Sequence, residues 1–259
     1  MGIETIWVDD QTVAGTAAVS PGLLGIDGAA GGVGSLIPIV DIVAGTCARR
    51  WADGDWLTTS DVWIHECVPI AVAMQEAEPA LKTTAQLMRR GGRSMVVACE
   101  VTIGLIRVAT ATLEFTRIRR EASSHSVVGI EREGQSTKLG DGPALGQPLV
   151  DACGIVLLDN AAGVASLPHS PFVSNSIGTL QGGTLGLLVS VAAGAMVGEG
   201  ARAVDVHYRF LAQTGDGPAQ TVGTIIRAES GAATIGISVT DVSRDGLLVG
   251  HAVVRVESN

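Results

Sequence analysis

The chain has 259 residues, 46% of them hydrophobic and only 17% charged, with 34 glycines and a formal net charge of -9 at pH 7. That acidity argues against nucleic acid or an anionic membrane as partner, because both call for a basic face. The length allows one large domain or two smaller ones.

The four cysteines, Cys47, Cys67, Cys99 and Cys153, form no CxxC pair and sit among apolar neighbours, which predicts reduced core residues. Neither they nor the five histidines have metal-ligand spacing, so no metal is expected. The N-terminus, MGIETIWVDD, lacks a basic region ahead of an apolar core; no secretory signal is expected, and a cytoplasmic location follows as the default. Two apolar stretches, Gly28–Thr46 and Ile177–Gly198, approach membrane length. Gly and Pro interrupt the first, Asp41 sits inside it, and neither has basic flanks, so no membrane span is expected.

In chain order, Thr5–Asp9 and Val13–Val19 read as short strands, followed by a Gly-rich passage, Pro21–Gly34. Its glycines do not fit G-x-G-x-x-G and no βαβ pattern follows, so it is not read as a dinucleotide site. A helix is predicted over Ser35–Gly45, with Pro38 in the first turn, where its missing N–H costs least. An acidic, Trp-rich loop, Arg49–Ser60, leads to strand-like runs at Val62–Val72, Ala80–Arg89, Arg93–Thr102 and Leu105–Arg119. Arg90-Gly91-Gly92 supplies a hairpin turn between the second and third of these. Residues 121–147 are polar and lack an apolar period, which marks a linker between units 1–120 and 148–259.

The second unit repeats the plan. Strands are predicted at Ala152–Leu158 and Gly163–Leu167, then a loop and a helix, then strands at Ala203–Gln213, Ala219–Glu229, Ala232–Val242 and Leu247–Glu257. The two helices align as Val40–Cys47 with Val189–Met196, which sets Gly34 opposite Gly183 and Asp41 opposite Ser190. An internal duplication of helix and antiparallel strands, without βαβ alternation, is α+β.

The most informative stretch is Asn175–Met196, NSIGTLQGGTLGLLVSVAAGAM. Nothing after Gln181 needs water, so its helix is expected to be buried all round. The Gly182-Gly183 pair opens it, where unpaired N–H groups and the positive dipole end could polarise a carbonyl or bind an anion. Asp41, flanked by Ile39, Val40, Ile42 and Val43, is the matching oddity: a carboxylate in an apolar helix must be hydrogen-bonded, paired or used.

Asn175-x-x-Gly178-x-x-Gln181-Gly182-Gly183, followed by a small-residue helix and four strands, resembles the hotdog-fold acyl-CoA thioesterase superfamily, whose usual form is N-x-x-G-x-x-H-G-G with an acid in the helix. The resemblance covers both halves. It implies a double hotdog: two curled antiparallel β-sheets, each wrapped around a long buried helix, with further assembly into a homo-oligomer. It implies hydrolysis of an acyl-coenzyme A thioester without a cofactor. Gln181 stands where many members have His, and Ser190 where the second helix would carry its acid. The residues at the start of the first helix, Gly32 by register, offer no His, Gln or Asn.

The halves are therefore complementary, and one composite site per chain is expected. In it Asn175 and Gln181 orient, Gly182 and Gly183 hold the thioester oxygen, and Asp41 serves as nucleophile or base. Plainer roles stand beside these: Asp41 as a structural acid, Gln181 as a loop closure, the glycines as helix packing. Arg89, Arg90 and Arg93 form either a solvated hairpin tip or a site for coenzyme A phosphates. The competing function is a non-catalytic acyl-thioester-binding or assembly protein of the same fold. A medium or long aliphatic acyl chain is the expected substrate group.

Overall fold

A computed structural model describes residues 2–18, 32–75, 80–119, 136–139 and 147–258. Strands β1 (Ile3–Trp7) and β2 (Thr12–Ala17) precede a 3-10 turn, Val33–Leu36, that runs directly into α1 (Ile37–Arg49). Pro38 lies in the first turn of α1, as its missing N–H requires. Then come β3 (Trp56–Glu66), the short α2 (Ile70–Ala73), β4 (Leu81–Arg90), β5 (Ser94–Ile103), β6 (Ile106–Ile118) and β7 (Ser136–Leu139). The second half holds α3 (Leu149–Cys153), β8 (Val156–Asp159), β9 (Val164–Leu167), α4 (Gly182–Val197), β10 (Arg202–Phe210), β11 (Ala219–Glu229), β12 (Ala232–Asp241) and β13 (Leu247–Glu257).

Among the described residues the strands form one antiparallel sheet of 13, in the order β7-β1-β2-β4-β5-β6-β3-β10-β13-β12-β11-β9-β8. From the central β3–β10 seam outward, each half follows the same sequence: the strand after the long helix, then the last, third and second of its meander, then the two N-terminal strands. The expected two sheets are thus a single continuous one. The seam is why: β3 and β10 pair antiparallel from Asp205↔His65 to Arg209↔Asp61, so neither half presents a free edge there. On the outer face His65 lies 3.0 Å from Asp205 and His207 3.1 Å from Asp61, each histidine meeting an acid of the other half.

Both long helices lie against the sheet and against each other, α1 over β2–β6 and α4 mainly over β9–β13. Alternation drives this: β5 buries every second residue, Met95 through Ile103. α4 is buried from Gly183 to Gly194 on every side. α1 is buried too, except for one face carrying Ile42, Gly45, Thr46 and Arg49.

Four sequence expectations change. The strand predicted over Val62–Val72 ends at Glu66, because Pro69 has no N–H for a ladder and starts α2 instead. Cys67, at that break, is exposed rather than in the core. The first part of the predicted strand Ala152–Leu158 is α3, stopped by Gly154 at φ 73. The Trp-rich loop is shorter than expected, since β3 begins at Trp56. Within the linker 121–147, Ser136–Leu139 pairs with β1; most of the linker, and Gly-rich residues 21–31, lie outside the described residues. No helix among the described residues is long and apolar enough to cross a membrane.

Candidate active site

Where α1 and α4 cross, two contacts mirror each other. A Cβ on Gly34 would fall 2.4 Å from Ser190 Cβ, and one on Gly183 would fall 3.0 Å from Asp41 Cβ. The helix alignment, which sets Gly34 opposite Gly183 and Asp41 opposite Ser190, makes these two contacts equivalent. Both positions are bare because the partner helix occupies the space a side chain would need. The two crossings differ in chemistry. Ser190 is buried and donates its hydroxyl to Gly186 O in its own helix, 2.8 Å away, so nothing at that crossing is left to react. Ser190→Ala is accordingly expected to leave turnover within about twofold and stability within about 1 kcal/mol, checked by initial rates and a melting curve.

At the other crossing Asp41 Oδ2 accepts from the Gly183 backbone N–H at 2.9 Å, and Oδ1 accepts from the Thr59 hydroxyl at 2.7 Å. Asp41 as a residue is only 6% exposed. Burial pushes its pKa above the ordinary carboxylate value, and the bonds from Thr59 and Gly183 oppose that shift. The N-terminus of α4 also points its positive dipole end at the acid. Asp41 is therefore a base stronger than a surface aspartate, held in a fixed orientation. Thr59 escaped the sequence reading because it fell in the predicted loop Arg49–Ser60; its partner became apparent once β3, beginning at Trp56, lay beside α1.

Asp41, Thr59, Gln181 and Gly182 line one cavity of about 1110 Å³. Gly182 is held close on both sides, since a Cβ there would meet Thr59 at 3.0 Å and Phe210 at 3.2 Å. Its backbone N–H has no partner among the described residues, nor does the side-chain amide of Gln181. Gly183 N–H, expected to hold a substrate oxygen, is committed to Asp41 instead; Gly182 supplies the one backbone donor left at this turn.

Asn175 also borders the cavity, but its side chain is engaged within its own loop. Its Oδ1 accepts from Ile177 N–H and Thr179 N–H, and its Nδ2 donates to Thr179 Oγ1 at 2.7 Å. With Gly178 at φ 82 it closes the turn that delivers Gln181 to the start of α4, a positioning role.

Other nucleophiles are disarmed. Ser174 Oγ lies 3.0 Å from His169 Nε2, yet that nitrogen also faces Gly178 O at 3.1 Å and so carries its proton. It cannot take one from Ser174, which donates to Ser170 O. Burial pushes the Cys47 and Cys153 thiols up to about 12, so both stay protonated.

The arginines read as either a solvated hairpin tip or a site for coenzyme A phosphates do not border the cavity itself. Arg89, Arg90 and Arg93 lie at the β4–β5 hairpin and none lines the cavity. Arg90 is bound to Asp53 at 2.8 Å and lies 5.3 Å from the Trp51 ring centroid. The cationic residues at the cavity are Arg49 and Arg50, at the end of α1.

No protein-family model and no curated protein sequence matches the chain. Solved structures do. The TesB protein of Mycobacterium avium subspecies paratuberculosis matches at TM-score 0.61 and 10% identity, over 98% of this chain and 95% of that one. The 12:0-ACP thioesterase of Umbellularia californica matches at TM-score 0.61 and 9% identity, over 96% and 98%. A hot dog-fold protein from Alicyclobacillus acidocaldarius matches at TM-score 0.58 and 14% identity, over 97% and 94%. The chain thus shares, along nearly its whole length, the fold of thioesterase structures of the hotdog type.

Proposed function

We propose that this protein is a thioester hydrolase acting on acyl-coenzyme A, with one composite site per chain between two hotdog units, residues 1–120 and 148–259. The observation that carries the reading is the Asp41 carboxylate bonded across the helix crossing to Gly183 N–H, next to the free donors of Gly182 and Gln181.

In the proposed reaction Asp41 takes a proton from water as the water oxygen attacks the thioester carbonyl. The developing oxyanion receives the Gly182 N–H at the positive end of α4, with the Gln181 amide alongside. Collapse breaks the carbon–sulfur bond, and the leaving thiolate takes the proton back from Asp41. Neither a metal nor a cofactor enters this sequence. Each carboxylate oxygen already accepts one hydrogen bond, which fixes the plane of Asp41 and holds it in place as the base in this scheme.

A single turnover of acyl-coenzyme A in oxygen-18 water tests this. Release of free thiol with label in the carboxylic acid product is expected. Label in Asp41 instead would make the aspartate the nucleophile. Tight binding with no thiol released at any chain length would favour the other reading, a non-catalytic acyl-thioester-binding protein; the commitment of Gly183 N–H to Asp41 is the observation on its side.

A further inference from the structure

Several glycines at the helix crossing, Gly183 and Gly186 in α4 and Gly34 in the turn ahead of α1, have a packing reason. A Cβ on Gly34, Gly183 or Gly186 would come within 2.4 to 2.6 Å of the facing helix. Gly45 is different. A Cβ there would meet only the Phe115 ring, at 3.7 and 3.9 Å, which is ordinary contact. Glycine in a helix interior destabilises relative to alanine, and here no neighbour demands it.

What lies over Gly45 is the cavity. The side chains of α1 that escape burial, Ile42, Gly45, Thr46 and Arg49, fall on the same side of the helix as Asp41 and line it. Gly45 lies one turn, about 6 Å, beyond Asp41 along the helix, and Arg49 about 12 Å beyond. Across from them stand Leu57 and Phe115, from β3 and β6. The Thr46 hydroxyl is turned back onto Ile42 O at 2.9 Å, so it offers the cavity no free donor. Between the acid and the guanidinium of Arg49, Ile42, Leu57 and Phe115 thus give this part of the cavity apolar surface, although Thr58 and Thr116 line the cavity as well, and the chain keeps the space over Gly45 open at a cost in helix stability.

We infer that this channel along α1 receives the aliphatic acyl chain of the substrate, and that Gly45, facing Phe115, sets how much chain it admits. The inference rests on the thioesterase reading above and goes further by assigning this arm of the cavity to the acyl group rather than to the carrier.

The test is the chain-length profile of Gly45→Leu, read as the ratio of kcat/KM for octanoyl- or palmitoyl-coenzyme A to kcat/KM for butyryl-coenzyme A. A leucine side chain fills the channel, so this ratio is expected to fall about tenfold or more against wild type, the scale on which apolar pockets sense added carbons. An unchanged ratio, with all chain lengths slowed alike or none slowed, would overturn the inference, because it is what a carrier in the channel or a general disturbance of α1 would produce. Gly45→Ala supplies a fold-independent check: its melting temperature should rise, and a fall would mean that packing does require the glycine. Wild type inactive on every ester would instead defeat the thioesterase reading itself, a distinct outcome.

Discussion

Asp41→Asn is expected to lower kcat by about 10²- to 10⁴-fold, the range for loss of a positioned general base, while the protein melts no lower than wild type at neutral pH. The two halves of this result have one cause. Burial raises the Asp41 pKa above its ordinary value of 3.8, so the folded state holds this proton more tightly than the unfolded chain does. Stability contributed by the protonated carboxyl is full below the unfolded value and is lost as pH rises through the folded one. At neutral pH the ionised acid is therefore a destabilising feature of the fold. An asparagine keeps the shape, can accept from Gly183 N–H through Oδ1, and can donate to the Thr59 oxygen through Nδ2. Melting curves should separate most at neutral pH and converge as pH falls toward 3.8. The wild-type rate should fall on acidification through a limb whose midpoint lies above 3.8, since only the carboxylate can accept a proton. Rates that persist in Asp41→Asn, or a limb at the surface-aspartate value, would remove Asp41 from the base role.

Gly183→Ala should damage both fold and site. The added methyl would stand 2.6 Å from Pro38 Cα and 3.2 Å from Ile37 O, both backbone atoms, and Pro38 belongs to a ring that cannot turn aside. Relief requires α1 and α4 to move apart. Overpacking of this kind costs about 1–3 kcal/mol, and part of that is offset by alanine's better helix propensity. At roughly 2–4 °C per kcal/mol for a chain of this size, a fall of several degrees in melting temperature is expected. The same movement lengthens the bond from Gly183 N–H to Asp41, and a displacement near 1 Å at such a site costs about 100-fold in rate. Gly45→Ala makes the same chemical change in the neighbouring helix with the opposite expected sign on stability. A Gly183→Ala protein as stable and active as wild type would show that the crossing is looser than these distances say.

The parts of this architecture legible in the sequence are those that repeat or that violate a local rule. Strand-like composition and turn signals, with period-two alternation in β6, located β4, β5, β6 and the last four strands to within a few residues; β11, exposed over most of its length, was found by its flanking turns rather than by a buried face. Asp41 was conspicuous because a carboxylate among Ile and Val has no ordinary reason to be there. Gln181 and the glycine pair stood out through their spacing. Thr59 did not, since its role depends on which rung of β3 faces α1, a fact of three-dimensional register. The hairpin arginines carried two readings for a related reason: charge density is visible in sequence, but its distance from a cavity is not. The joining of the halves at β3–β10 was equally hidden, since strand pairs 140 or so positions apart leave no local trace.

The asymmetry of the two helix crossings has a consequence for how such a molecule can be altered. In a symmetric pair of identical chains, any acid placed at one crossing appears at the other, and the desolvation of a buried charge, several kcal/mol per ion, is incurred twice. Here it is incurred once, and the Gly34–Ser190 crossing is neutral and well bonded. Each half is thereby released from a constraint the other carries: the first from presenting donors at the start of its helix, the second from burying a carboxylate. A substitution near Ser190 changes packing alone, whereas one near Asp41 changes packing and chemistry together, so stability can be tuned at one address in the chain without touching activity at the other.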